Sequence, residues 1–125
     1  MNECRLSPGD IVLVPFPFTN YLEKKRRPAL VVSSREFNTS TSNVILIAIS
    51  SNISAGRKSE ITILGTHKAF SQTGLRRSSA IKCGSIFTFS QTHIERKLGK
   101  VPADILQDAR RILGNILECE SSGVG

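Results

Sequence analysis

Short apolar runs separated by polar, glycine- and serine-containing stretches occupy most of the chain, and a helical periodicity appears only near its end. Ser7-Pro8-Gly9-Asp10 is a turn signal that feeds the β-branched run Ile11-Val12-Leu13-Val14, with Phe16 and Phe18 continuing the pattern as a first strand. Residues Thr19 to Arg26 are polar and strongly basic, and Pro28-Ala29-Leu30-Val31-Val32 then resumes an apolar run. The proline holds Arg27 extended at the start of that strand, so a long hairpin loop is predicted between the two. Ser34 to Asn43 reads as a Ser/Thr/Asn-rich connection. Val44 to Ile49 is continuously apolar, as in a strand buried on both faces, and ends at Ser50-Ser51.

After a loop at Asn52 to Ser59, Ile61 to Leu64 predicts a fourth strand, while Thr66 to Thr73, bracketed by Gly65 and Gly74, carries no assignable pattern. The alternation from Ser79 to Phe89 breaks at Gly84-Ser85, which predicts one bent strand or two strands meeting at a bulge. Ile94 to Val101 predicts a last short strand. Pro102 suits a first helical turn, and Ile105, Leu106, Ala109, Ile112, Leu113, Ile116 and Leu117 recur at i, i+3, i+4 spacing. The sum is mainly β: an antiparallel barrel or strongly bent sheet closed by one C-terminal amphipathic helix.

A length of 125 residues with 39% hydrophobic content is expected to make one domain, spanning residues 1–125, with a core that needs no disulfide or metal. No apolar run is long enough to cross a bilayer, and the first residues lack the apolar stretch of a signal peptide, so a cytoplasmic protein away from membranes is expected. Cys4, Cys83 and Cys119 form no C-x-x-C pair and have no neighbouring histidine, which argues for reduced bystanders. Asp, Glu and His show no ligand-like spacing, so neither a metal nor another cofactor is expected.

Charge changes the picture. Seventeen Lys and Arg against ten Asp and Glu give +7, grouped at Lys24-Lys25-Arg26-Arg27, Arg57-Lys58, Arg76-Arg77, Arg96-Lys97 and Arg110-Arg111. Any single pair is ordinary solvated surface. Most of them fall between apolar runs, where the loops of one sheet converge, and together they point to a phosphate backbone as partner.

Gly9-Asp10-Ile11-Val12, Phe16-Pro17-Phe18-Thr19, Arg26-Arg27-Pro28-Ala29-Leu30-Val31-Val32-Ser33, Ile47-Ala48-Ile49-Ser50-Ser51, Ile86-Phe87-Thr88 and Ile94-Glu95-Arg96-Lys97-Leu98-Gly99 stand in an order and spacing that resembles the MazF/PemK toxins over nearly the whole chain. The resemblance implies an SH3-like barrel shared with the gyrase poison CcdB. It also implies a homodimer, a cognate antitoxin with an acidic segment that lies across the basic groove, and metal-independent cleavage of single-stranded RNA at short sequences. Carried over by position, the catalytic arginine of the R-P motif falls on Arg27 and the catalytic hydroxyl at the end of the third strand on Ser50. Many relatives carry Thr at that point, and the Ser50-Ser51 pair leaves Ser51 as an alternative donor. Thr19, Lys24, Lys25 and Arg26 fall where the family's first hairpin borders RNA, and Arg76 and Arg77 extend the same groove. The competing expectation is a module of the same fold that binds nucleic acid or gyrase without cutting.

The residue types suit the chemistry. RNA cleavage through its own 2′-hydroxyl needs no protein nucleophile, only proton transfer and stabilisation of charge on the phosphoryl oxygens. A guanidinium is charged at any physiological pH and grips phosphate with two parallel hydrogen bonds, which Lys24 or Lys25 cannot reproduce. The serine hydroxyl positions or polarises the phosphate; the general base stays open. Asp10, following a glycine, is expected to organise a turn, and His67 and His93 match no catalytic position of the family.

Overall fold

The computed structural model describes residues 6–16, 25–54 and 56–119. Expectations that fall on Cys4, Phe18, Thr19 and Lys24 lie outside these residues. In chain order the elements are β1 (Asp10–Phe16), β2 (Lys25–Val31), α1 (Arg35–Ser40), β3 (Asn43–Ser50), β4 (Glu60–Ile63), α2 (Phe70–Thr73), β5 (Ser79–Ser90), a 3-10 turn (Gln91–His93), β6 (Arg96–Lys100) and α3 (Ala103–Ile116). The strands form one antiparallel sheet in the order β4-β5-β3-β2-β1-β6.

The sheet curls because its longest strand bends. Between the pairs Ile47↔Ile86 and Ile49↔Ile81, two steps along β3 oppose five along β5, so the surplus bulges out at Lys82 to Ser85. This is the predicted interruption at Gly84-Ser85: beyond it, the first part of β5 turns to pair with β4 while the rest stays on β3.

The curl divides the apolar residues between two faces. Ile11, Leu30, Ile47, Ile49 and Ile81 pack under α3, which contributes Ile105, Ala109 and Ile112; Val12, Val14, Ala29, Val31 and Leu46 face the other way, beneath Phe87, Phe89 and Ile94. Each is the period-2 partner of the other set, which is why these runs read as continuously apolar. Asp10 has the structural part expected of it. It is buried, accepts the Ser7 N–H at Oδ2 (2.9 Å), and meets Lys97 Nζ at 3.1 Å, joining the first turn to β6.

Four expectations are corrected. The basic stretch is not all loop: β2 starts at Lys25, and Lys25, Arg26 and Arg27 pair with Phe16, Pro15 and Val14. Backbone pairing with β1 runs on past the apolar core, since exposed side chains cost the ladder nothing. The Ser34–Asn43 connection contains α1, capped by Ser34 Oγ on the Phe37 N–H at 3.0 Å. The unassigned segment contains α2. Pro102 sits at the N-cap, one residue before the first helical turn.

Buried Asn38 ties α1 down. Its Nδ2 donates to Leu6 O (3.1 Å) and Ser33 O (3.2 Å), its Oδ1 accepts from Ser33 Oγ, and Ser33 Oγ accepts the Ile45 N–H at 3.0 Å. Asn38→Ala leaves these groups buried and unpaired, so chemical denaturation is expected to show a loss of about 2–4 kcal/mol.

Two glycines close the curled sheet. Gly74, which ends α2 at φ 74°, abuts Leu98 of β6, and Gly99 of β6 abuts Gln72 and Thr73 of α2. A Cβ on Gly74 would stand 2.7 Å from the Leu98 carbonyl carbon, and one on Gly99 would stand 2.6 Å from that of Thr73. Both positions admit only hydrogen, and the backbones of α2 and β6 meet there directly.

Candidate nucleic-acid interface

Beside this closure lies an open cavity of about 740 Å3. Leu13 of β1, Pro28 of β2, Ile49 of β3, Leu75 and Leu98 give it apolar surface, and Lys25, Arg26, Arg27, Arg76, Arg77 and Arg96 give it charge, with Ser51 and Ser79 adding hydroxyls. Three segments supply the cations. β2 carries the first group, the turn after Gly74 carries Arg76-Arg77, and β6 carries Arg96 opposite Leu13. None of the described lining residues is a carboxylate or an imidazole. Such a surface has a strong positive potential and holds phosphate by charge-assisted hydrogen bonds, while its apolar part favours the faces of unstacked bases.

The predicted residues divide in an instructive way. Lys25, Arg26, Arg27, Ser51, Arg76 and Arg77 all line the cavity; Ser50 does not. The β2–β3 ladder ends at Ala29↔Ala48, and the same alternation continued outward sets Arg27 across from Ser50, on the face that bears Ala29 and Ala48. Ser50 Oγ accepts the Asn52 N–H at 3.0 Å, a turn bond that leaves its own O–H hydrogen free to donate. Ser51, one residue on, is exposed on the cavity wall.

Arg96 is the cavity cation that received no site role from the sequence. Its signal is the alternation Arg96, Leu98 on one strand face, legible once β6 is known to pair with β1. Neither histidine lines the cavity. His67 Nδ1 accepts the Ala69 N–H at 2.9 Å, and His93 lies edge-on to Phe89 with ring centroids 6.1 Å apart. Burial, and after it the charge of Glu60, pushes the Cys83 thiol up to about 11, so it is no nucleophile at neutral pH; Cys119 is exposed. At pH 7 an alkylating reagent is therefore expected to label Cys119 of the folded chain and to reach Cys83 only after unfolding, as peptide mapping would read. Among the described residues no cluster of three or more His, Cys, Asp or Glu could hold a metal, and no helix is long and apolar enough to cross a membrane.

A basic cavity with apolar surface on a small curled β sheet suits phosphate-linked chains with exposed bases. The profile of the PemK-like, MazF-like toxins of type II toxin-antitoxin systems matches residues 7–117. The chain is 31% identical over 96 residues to the endoribonuclease MazF6 of Mycobacterium tuberculosis and equally to the endoribonuclease MazF2 of Mycobacterium bovis, covering 75% of this chain and 80% of each relative. Among solved structures it is similar to MazF from Deinococcus radiodurans (TM-score 0.70, 26% identity, 90% of this chain and 96% of that one) and to the M. tuberculosis toxin MazF-mt6 (TM-score 0.72, 18% identity, 90% and 99%). A MazE–MazF structure from D. radiodurans matches with TM-score 0.73 at 25% identity, over 92% of this chain and 98% of that one. The chain belongs to the PemK-like, MazF-like toxin family.

Proposed function

We propose that this chain is the toxin of a type II toxin-antitoxin pair and that it cuts single-stranded RNA without a metal, working as one domain in the cytoplasm. The observation that carries the reading is the cavity: six cations and two hydroxyls around apolar surface, with no carboxylate or imidazole among its described lining residues. In the reaction the RNA 2′-oxygen attacks the adjacent phosphorus as its proton leaves, and the 5′-oxygen departs and takes up a proton, giving a 2′,3′-cyclic phosphate and a 5′-hydroxyl. Arg27 holds the phosphoryl oxygens on which charge builds, through a fork that is charged before substrate arrives. Ser50, which the register of β2 and β3 sets across from Arg27, is the hydroxyl that the family resemblance assigns to the same phosphate, with cavity-lining Ser51 as the alternative. Ser51, Lys25, Arg26, Arg76 and Arg77 hold the flanking nucleotides, as would Thr19 and Lys24 in the family's first hairpin.

The D. radiodurans MazE–MazF structure supports an antitoxin as protein partner, and an acidic segment suits a cavity of this charge. A homodimer is the assembly that the family resemblance implies. The test is incubation of wild type, Ser50→Ala, Ser51→Ala and the double variant with a long RNA in EDTA, with the fragment ends mapped. Recurrent cuts bearing cyclic phosphate are expected, with Ser50→Ala about tenfold or more slower and Ser51→Ala milder. Intact RNA across varied sequences would sink the reading and leave the binding module. If four to six cations contact phosphates, log K for a single-stranded oligonucleotide should fall with log salt at a slope of roughly −3 to −4, and a flat titration would remove the electrostatic argument.

A further inference from the structure

Among the described residues, one carboxylate touches the cavity's cations. Arg26 Nε meets Glu95 Oε1 at 2.6 Å, while Lys25, Arg27, Arg76, Arg77 and Arg96 make no ion pair with any described residue. Glu95 is itself well anchored. Its N–H donates to Leu13 O at 2.9 Å immediately before β6, next to cavity-lining Arg96, and its side chain reaches past β1 to Arg26 on β2. Arg26 is opposite Pro15 and thus shares the sheet face of Leu13 and Pro28, both in the cavity wall.

We infer that Glu95 is a positioning residue, which holds Arg26 by Nε so that the opposite edge of its guanidinium, Nη1 and Nη2, is presented to a phosphate. A guanidinium has five N–H donors in a rigid plane. A carboxylate on Nε removes the side-on approach and leaves the end-on fork, and it limits the rotamers that a mostly exposed arginine must give up when phosphate arrives. Five neighbouring cations would otherwise drive Arg26 outward, and the Glu95 charge offsets that repulsion. The inference rests on the cavity's binding phosphate-bearing ligands, and a phosphate ligand that is not RNA tests it separately from RNA cleavage.

The experiment measures binding of inorganic tripolyphosphate by calorimetry at low salt to wild type, Glu95→Ala, Glu95→Gln, Arg26→Ala and Arg26→Ala/Glu95→Ala. Any residue at 95 keeps the backbone bond to Leu13, and thermal melts verify that each variant is folded. Glu95→Ala is expected to bind roughly two- to fivefold more weakly, the scale of an exposed ion pair. Glu95→Gln, which retains an acceptor for Nε, should recover most of that loss, and in the Arg26→Ala background the change at 95 should have no effect. The inference is overturned if Glu95→Ala binds as well or better, if glutamine behaves like alanine, if the effect persists without Arg26, or if wild type does not bind the probe. Loss of RNA cleavage with these couplings intact would instead discard the ribonuclease reading alone.

Discussion

Replacing Arg27 by alanine is expected to lower the rate of RNA cleavage by about 10²–10³-fold or more, with thermal unfolding near that of wild type. The size follows from the chemistry. The substrate supplies its own nucleophile, so most of what the protein adds is a preorganised positive group where charge develops. Arg27 fits that task for three reasons: the following proline sets its backbone, pairing with Val14 fixes its place on β2, and it lines the cavity half-buried. Arg27→Lys separates fork from charge. It should bind RNA within a few-fold of wild type yet cut at least about tenfold more slowly, because an ammonium cannot make the paired hydrogen bonds. Single-turnover rates at saturating RNA measure this directly, and an alanine variant that cuts as fast as wild type would remove Arg27 from the mechanism.

Gly99→Ala is expected to cost about 3 kcal/mol or more, lowering the melting temperature by roughly 10–15 °C, although the change adds one methyl group. The neighbour is backbone: the Thr73 carbonyl carbon would be 2.6 Å from the new Cβ, so α2 and β6 must part. Gly74→Ala should be at least as severe, since it adds a left-handed φ of 74° to a similar collision with Leu98. Because Arg76-Arg77 follow Gly74 and Arg96 precedes Gly99, any variant that still folds should also bind RNA less well. Ala48→Gly, a change of one methyl in the opposite sense away from this contact, is the comparison; calorimetric melts that rank it with Gly99→Ala would refute the close approach.

Much of this molecule is legible in its sequence, and the failures have physical causes. The strands and α3 are legible because their apolar residues repeat at the spacing of the element that buries them, and even the bend in β5 is marked by Gly84-Ser85. The helix α1 is hidden because a single buried polar residue, Asn38, holds it, and its partners come from Leu6 and Ser33. The cavity is partly legible as charge. That Arg76-Arg77 join Arg26-Arg27 while Arg110-Arg111 do not is decided by strand order, which local pattern does not encode. The same holds for Arg96 and Glu95, whose places depend on the pairing of β6 with β1. For Ser50 and Ser51, adjacent at a strand end, the question is which face each takes, and that is a matter of parity set by Ile49, in the core under α3, and by buried Ala48 on the opposite face.

The sheet order has a consequence for how the protein comes into being. β1 pairs with β6, more than eighty residues further along the chain, and the cavity takes residues from Leu13 through Leu98. Contacts so distant along the chain close late and slowly. A chain in which β6 has not yet joined β1 therefore has no complete cavity, since Arg96 and Leu98 line it.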